Sequence, residues 1–254
     1  MSKLIRNVIG SLATVTLLSA LMAAQAVSSG RYDSSIREKV TQQLSSKKQF
    51  QNVQASVEDG IVTLRGTVGL FQDKLNAAKK IHKDDHVAGV RNLIEVQGPL
   101  VRDAQLQEKL AKKLRYDRVG YFDNTFNYLT LGVNDGVVTV GGETMNEVGR
   151  DSALAIVQRM PGVKDVIDEV KVSPVSLFDD DIRLNAVRAL YHDPVLGKYA
   201  MDPSAPIRIV VDNGTVGLYG AVDSAMDKQI AGMRANQVFG AFRVENFQRH
   251  RWRR

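Results

Sequence analysis

The chain has 254 residues, of which 44% are apolar and 24% charged, and its 34 basic and 28 acidic residues give a net charge of +6. This composition is that of a folded protein with one or a few domains, and it excludes a chain that is disordered along its length. The absence of cysteine excludes disulfides, thiol nucleophiles and zinc or iron–sulfur centres held by cysteine.

The first 26 residues have the pattern of a secretory signal. Lys3 and Arg6 precede an uncharged stretch over residues 7–26, and Ala24 and Ala26 are the small residues that signal peptidase reads. A retained membrane helix is the alternative, but polar residues dilute the stretch and no basic cluster follows it. We therefore expect residues 1–26 to be a signal peptide cleaved after Ala26, and the rest of the chain to be exported to the bacterial periplasm.

The remaining sequence contains one unit three times. Each repeat has a turn dipeptide followed by an alternating β-branched run, at Asp59-Gly60, Asp135-Gly136 and Asn213-Gly214, and the turn glycines lie 76 and 78 residues apart. Such a dipeptide predicts a β-hairpin, because glycine adopts a positive φ without steric cost.

An amphipathic helix is predicted before each hairpin, and a second helix and a last strand after it. Apolar residues at i, i+4 and i+8 mark the first helices, at Ile36, Val40 and Leu44, at Leu106, Leu110 and Leu114, and at Ile182, Ala186 and Leu190. An aspartate three residues before each set (Asp33, Asp103 and Asp179) is expected to cap free N–H groups at the helix start. Each repeat therefore reads helix, strand, strand, helix, strand.

Glycines recur at matching positions of these repeats. Those expected to form structural turns are Gly60, Gly66, Gly89, Gly136, Gly142, Gly162, Gly214, Gly220 and Gly240. The hairpin dipeptides, the glycines that close the second strand and the late Gly-Val turns together resemble the BON-domain family of bacterial envelope modules. The resemblance covers residues 31 to 248 and implies an α+β fold of three tandem αββαβ modules, each with two helices packed on one face of a three-stranded mixed sheet.

The resemblance also implies a periplasmic or envelope location, association with phospholipid surfaces and no catalytic activity. We expect modules over residues 31–98, 102–173 and 178–248, followed by a basic tail over residues 249–254. The third module is divergent, since Gly217 stands in its strand where Thr63 and Thr139 stand in the others.

The second repeat has a long loop after its first helix that is rich in aromatic residues. Aromatic rings lie at headgroup depth in a bilayer interface and guanidinium groups bind lipid phosphates, so this loop is a candidate lipid-binding segment. Alternatively, the rings form a local core that braces the loop. The predicted lipid-binding residues here are Arg115, Tyr116, Arg118, Tyr121, Phe122 and Phe126.

The tail is the second candidate and the main basic concentration expected from the sequence. Its predicted lipid-binding residues are Arg249, Arg251, Trp252, Arg253 and Arg254, and a basic residue near an anionic membrane gains about 1 kcal/mol. A solvated tail is the alternative. Nucleic acid would be attracted by the same charges, but an exported protein rarely meets it, and we expect no nucleic-acid partner.

Signals for metal sites and enzymatic chemistry are weak. His82 and His86 have i, i+4 spacing without a third ligand, and the run Asp179-Asp180-Asp181 lacks the spaced loop that holds calcium. No nucleophile elbow, phosphate-binding loop or dinucleotide fingerprint occurs. We expect no metal, no cofactor and no enzymatic activity.

Taken together, these patterns predict a non-catalytic periplasmic or envelope protein that is peripherally associated with membranes. It would bind anionic phospholipid surfaces through its modules and act in protection against osmotic or envelope stress. The alternative is a periplasmic chaperone (holdase) or protein-interaction scaffold, which would bind unfolded or envelope proteins through its sheet faces or edges.

Overall fold

The computed structural model describes residues 32–116, 123–202 and 206–250. They form three consecutive small modules, and the predicted α+β fold of three tandem modules is confirmed. The chain divides into two compact units: Met1–Gly98 contains module 1, and Pro99–Arg254 contains modules 2 and 3. The predicted signal peptide lies outside the described residues.

Module 1 contains two helices, a short 3-10 helix and a three-stranded sheet. Its elements are α1 (32–45), the 3-10 helix Lys48–Phe50, β1 (Val53–Glu58), β2 (Ile61–Val68), α2 (Phe71–Ile81) and β3 (Gly89–Val96). The central strand β2 pairs antiparallel with β1 and parallel with β3, so the sheet is mixed. Ile36, Val40 and Leu44 of α1 pack with the buried side chains of the sheet.

Module 2 repeats this topology. Its elements are α3 (Asp103–Arg115), the 3-10 helix Asp123–Phe126, β4 (Tyr128–Asn134), β5 (Val137–Thr144), α4 (Glu147–Gln158) and β6 (Asp165–Val172). The sheet order is β4-β5-β6, with β5 antiparallel to β4 and parallel to β6. Leu106 and Leu110 of the predicted helical stripe are fully buried.

Module 3 departs from the pattern by splitting its last strand in two. Its elements are α5 (Leu177–Tyr191), the 3-10 helix Gly197–Tyr199, β7 (Ile207–Asp212), β8 (Thr215–Val222), α6 (Ala225–Asn236), β9 (Arg243–Asn246) and β10 (Arg249–His250). Both β9 and β10 pair parallel with β8, β9 along Thr215–Leu218 and β10 at Ala221 and Val222. They therefore follow one another beside the same strand.

Both helices of module 3 pack on one face of its sheet. Alternate residues of β8 (Val216, Leu218 and Val222) are fully buried, and they share one apolar core with α5 and α6. This is the arrangement expected from a strand periodicity of two packed against amphipathic helices.

All three predicted hairpins are confirmed, and each has two consecutive residues of positive φ at its turn. The φ values are 50° and 75° at Asp59 and Gly60, 50° and 78° at Asp135 and Gly136, and 48° and 73° at Asn213 and Gly214. Positive φ at both central residues defines the type I′ turn, whose twist matches that of the flanking strands.

The three aspartates predicted as helix caps bind the hairpin turns instead. The Asp179 carboxylate accepts hydrogen bonds from the backbone N–H groups of Asn213 at 3.1 Å and Gly214 at 2.8 Å. Asp33 and Asp103 make the equivalent pairs of bonds in modules 1 and 2, at 2.7–3.0 Å.

The capping prediction is therefore wrong for α3 and α5, whose N-cap residues are Arg102 and Ser176. Asp103 and Asp179 lie within the first helical turn, where their negative charge still meets the positive end of the helix dipole. We call each aspartate with its two turn amides an aspartate clamp.

The glycines that close the second strands occupy positions where no side chain fits. A Cβ atom at Gly66, Gly142 or Gly220 would lie 1.9–2.1 Å from a backbone carbonyl oxygen, and φ at the three residues is +97° to +117°. By contrast, Gly89 was expected to form a turn but is the first residue of β3, and its Cβ position meets no atom within 4 Å.

Modules 2 and 3 are joined by aromatic packing. Phe126, in the 3-10 helix of module 2, belongs to the apolar core of module 3 and is only 6% exposed. Two residues later, the Tyr128 ring stacks on the Tyr219 ring of β8. The second compact unit therefore contains two sheets but shares core residues between them.

Candidate functional surfaces

Lysine side chains gather on one surface of module 1. The 3-10 helix packs against α2. This packing places Lys47, just before the 3-10 helix, beside Lys79 and Lys80 in the last turn of α2 and Lys83 just after it. The four side chains line a depression of about 300 Å³. We call these four residues the lysine surface.

The floor of this depression is apolar and its rim is cationic. Phe50 lines it and is 3% exposed, whereas Lys47, Lys79 and Lys83 are exposed. Lys80 donates a hydrogen bond from Nζ to the Gln43 carbonyl oxygen at 3.2 Å. Within residues 32–98, the salt bridges found do not involve any of the four. Their positive charge is therefore available to an external anion.

Sequence reasoning missed this surface and placed the main basic concentration in the tail. The signal was present in two short pairs, Lys47-Lys48 and Lys79-Lys80, which are far apart in the chain. Only the packing of the 3-10 helix on α2 brings them together, so neither pair alone identifies the site.

The structure separates the residues predicted for the aromatic loop of module 2. Arg115 ends α3 and Tyr116 follows it, and both side chains are exposed. Arg118, Tyr121 and Phe122 lie outside the described residues. The prediction for Phe126 is wrong, because its ring is buried in the core of module 3 and cannot enter a bilayer.

The predicted basic tail begins as a strand. Arg249 lies in β10 and pairs with Ala221 of β8, so its backbone belongs to the sheet. Arg251, Trp252, Arg253 and Arg254 lie outside the described residues. The Arg249 side chain lines a cleft between modules 2 and 3, to which other arginines contribute.

This cleft, about 570 Å³ in volume, contains three arginines on three elements. Arg115 of α3, Arg208 of β7 and Arg249 of β10 line it together with aromatic residues that include Phe247. Burial lowers the pKa of Arg208, and the positive charge of Arg115 lowers it further, while nearby Asp202 acts in the opposite direction. The cleft therefore concentrates positive charge, and the nearby Asp202 carboxylate offsets part of it.

Module 3 presents an exposed aromatic surface. The Phe178 ring at the start of α5 and the Phe242 ring just before β9 stack with centroids 5.7 Å apart. Phe239 lies three residues before Phe242, Leu177 directly precedes Phe178, and Val175 lies three residues before Phe178; all five side chains are exposed. We call Phe178, Phe239 and Phe242 the phenylalanine surface. Sequence reasoning did not single them out.

The histidine pair and the aspartate run form no metal site in the described part of the chain. Helix α2 ends at Ile81, so His82 and His86 do not share a helical face, and His86 Nδ1 lies 3.2 Å from the Asp84 carboxylate. Asp179 is held in its clamp and Asp180 pairs with Arg183. Across residues 32–116, 123–202 and 206–250, no group of three potential metal ligands occurs.

The sequence profile of the BON domain family matches residues 32–98, 102–174 and 195–247. These segments make up more than half of the chain, and the chain therefore belongs to the BON domain family. Membership supports a periplasmic or envelope protein, and the family is generally non-catalytic. In the described ranges, no helix has the length and apolarity needed to cross a bilayer.

Solved structures with detectable similarity include two from type III secretion systems. The C-terminal domain of CdsD, a structural protein of the system of Chlamydia trachomatis, is 15% identical, with 85% of this chain and 95% of that chain covered and a TM-score of 0.24. The periplasmic domain of the inner membrane protein PrgH from S. typhimurium is 13% identical, with coverages of 81% and 96% and a TM-score of 0.18. No curated protein matches the chain.

Proposed function

We propose that this protein is exported after cleavage of residues 1–26 and binds anionic phospholipid surfaces of the bacterial envelope without catalysing a reaction. Its role would be to protect the envelope under osmotic or related stress. The observation that carries the proposal is the lysine surface, which presents four ammonium groups around an apolar floor. Membership of the BON family supports the envelope location.

Electrostatic attraction supplies the binding energy in this proposal. A basic residue close to an anionic leaflet contributes about 1 kcal/mol, and this contribution decays within a Debye length. The lysine stems lie over apolar surface while their ammonium groups reach the lipid phosphates. Binding should therefore require anionic headgroups and weaken as salt is added.

Other parts of the chain would add weaker contacts. Arg115 and Tyr116 are exposed at the end of α3, and we retain Arg118, Tyr121, Phe122 and the segment Arg249, Arg251, Trp252, Arg253 and Arg254 as candidate lipid-binding residues. Several weak contacts on one chain raise the overall affinity because each one increases the local concentration of the next.

Co-sedimentation with vesicles tests the proposal. Residues 27–254 are mixed with zwitterionic or anionic vesicles at low and moderate salt, and the bound fraction is measured. Changing Lys47, Lys79 and Lys83 to glutamine should weaken binding to anionic vesicles on the order of a hundredfold, since three contributions of about 1 kcal/mol are lost.

The matched control changes Lys109, Lys112 and Lys113 of α3, which are equally exposed, to glutamine. This variant has the same net charge as the first, and we expect it to bind almost as well as the unchanged chain. Equal losses in both variants would show that binding depends only on net charge. Absence of pelleting under all conditions would overturn the proposal.

The alternative function is a holdase or interaction scaffold for unfolded or envelope proteins. The phenylalanine surface favours it, because contiguous exposed apolar side chains are typical of protein contacts. A holdase would suppress aggregation of an unfolded client in the absence of lipid, and the Lys47, Lys79 and Lys83 variant would retain that activity.

A further inference from the structure

Two of the three rings of the phenylalanine surface pack against the module although they are exposed. Phe239 and Phe242 are 90% and 78% exposed, and Phe178 is 47% exposed. The Phe242 ring nevertheless lies over the hairpin turn, where a Cβ atom on Gly214 would be 2.4 Å from Cδ2. The Phe178 ring lies near Gly240, with Cε2 3.5 Å from the corresponding Cβ position. Two rings are thus fixed at one end of the module with their outer faces in water.

The fold itself does not require aromatic side chains at this end. In module 1 the side chain nearest to the turn glycine is Ala88, and in module 2 it is Lys164. Both modules form the same turn with the same aspartate clamp. Phe242 is therefore not needed to close a hairpin, and exposed apolar patches of this kind mark interaction sites.

The charges around this surface define the partner. Asp212 precedes the turn, Asp181 lies one helical turn after Phe178, and both are exposed. Of the neighbouring basic groups, Arg183 is buried and bonded to Asp180 at 2.6 Å, and the exposed Arg243 is neutralised by its ion pair with Glu245 at 2.7 Å. The complementary ligand is an apolar group flanked by cationic side chains, and an anionic bilayer does not fit this description.

The chain itself contains such a ligand. We propose that the phenylalanine surface of one copy binds the Trp252 segment, residues 251–254, of a second copy. Trp252 is the only tryptophan and is flanked by Arg251, Arg253 and Arg254. Its indole ring would stack on the exposed phenylalanine rings, while the guanidinium groups would face Asp181 and Asp212.

The segment cannot reach the surface of its own copy. The surface lies beside Thr215 at the start of β8, whereas His250 pairs with Val222 at its end. These two positions are about 23 Å apart along the strand. Trp252 lies two residues beyond His250, which adds at most about 7 Å of chain. The contact must therefore form between copies.

Such a contact joins two different surfaces and is heterologous. After one such contact, one copy retains an unused segment and the other an unused surface, so that association continues into short chains or closes into a ring. The inference does not rest on lipid binding, because the lysine surface that carries the lipid-binding proposal is not involved in it; residues 251–254 were retained there only as weaker contacts.

Sedimentation velocity of residues 27–254, without lipid, tests this proposal. The weight-average sedimentation coefficient should rise with protein concentration at low salt and fall back as salt screens the charges. Changing Phe239 and Phe242 to serine should abolish the rise, and so should Trp252→Ala. The control variant carries Leu100→Ser and Met201→Ser, which remove similarly exposed apolar side chains elsewhere. It should show the same rise in sedimentation coefficient as the unchanged chain.

Mixing the two association-defective variants distinguishes specific pairing from non-specific association. The Phe239→Ser, Phe242→Ser chain retains its Trp252 segment, and the Trp252→Ala chain retains its phenylalanine surface. Neither associates alone, but together they should form a 1:1 complex that grows no further. Circular dichroism confirms that each variant is folded.

Three results would overturn the proposal. The unchanged chain could remain monomeric at all concentrations, association could persist in either variant, or the mixture could fail to pair. If the chain is monomeric and the double serine variant loses vesicle binding, the phenylalanine surface contacts lipid. If it is monomeric and this variant loses suppression of client aggregation, the surface binds other polypeptides.

Discussion

The ring of Tyr128 stacks on the ring of Tyr219 with centroids 4.1 Å apart and planes inclined by 16°. Tyr128 begins the first strand of module 2, and Tyr219 belongs to the central strand of module 3. The Phe247 ring also stacks on Tyr219, with centroids 5.1 Å apart. The outer face of the third sheet is therefore covered in part by the second module, and we expect the two modules to unfold together.

Phe126 provides the sharpest test of this coupling. Phe126→Ala should lower the free energy of unfolding of the second compact unit by about 3–5 kcal/mol, since a buried ring is removed. Urea denaturation monitored by circular dichroism measures this. Tyr116→Ala, which removes an exposed ring ten residues earlier, is the control. A similarly small effect of both changes would contradict the shared core.

The aspartate clamp predicts a stability loss that depends on the carboxylate. Asp179 is 3% exposed, so Asp179→Ala leaves two turn N–H groups without their acceptor and should cost about 1–3 kcal/mol. Asp179→Asn retains one acceptor oxygen and should cost less. Asp181→Ala, on the same helix but exposed, is the matched control in urea denaturation. Equal stabilities of the alanine variants would show that the clamp contributes nothing.

Two glycines of module 1 should respond differently to the same change. Gly66→Ala places Cβ 1.9 Å from the Asn52 carbonyl oxygen at φ +117°, so the backbone must move. We expect a loss of about 3 kcal/mol, comparable to other strained backbone positions. Gly89→Ala meets open space and should change stability little. Thermal unfolding of both variants measures the difference, and a large loss at Gly89 would contradict the register of β3.

Alkaline pH should destabilise module 3. Burial raises the pKa of Tyr191 to about 12, and burial also raises the pKa of Tyr199 to about 12. A tyrosine in the unfolded chain has a pKa of about 10. The folded state therefore binds these protons more tightly than the unfolded chain does. The resulting contribution to the free energy of unfolding is complete below about pH 10 and is lost as the pH rises towards 12.

Urea denaturation between pH 8 and 11.5 measures this effect. Tyr191→Phe cannot ionise and should reduce the pH dependence, although it also removes the hydrogen bond from the hydroxyl to the Ile207 carbonyl oxygen. Tyr116→Phe, at an exposed site, should leave the pH dependence unchanged. A dependence identical in all three proteins would exclude Tyr191 as its source.

The sequence predicts the fold well because its strongest signals are local. Asn213 and Gly214 specify their turn through backbone preference alone, and the stripe Ile182, Ala186 and Leu190 specifies one buried helix face. Both signals act within a few residues, and the structure confirms them.

Signals that depend on tertiary packing were misread or missed. An aspartate near a helix start fits a cap and a clamp equally, and only the position of the turn decides between them, as for Asp103. An aromatic residue in a loop fits both exposure and burial, and for Phe126 the deciding partner is another module. Lys47 and Lys79 become neighbours only after two helices pack.

The aspartate clamp also has a consequence for how these modules tolerate change. It fixes the start of the first helix to the hairpin turn, across 27 residues from Asp33 to Gly60 but 35 from Asp179 to Gly214. The difference is absorbed by the connection between helix and hairpin, while the bonds at the two ends stay the same. The connection also contributes buried side chains of the 3-10 helices (Phe50, Phe126 and Tyr199), so foreign sequence can be grafted into it, by natural variation or by protein engineering, only where these side chains keep their places in the core.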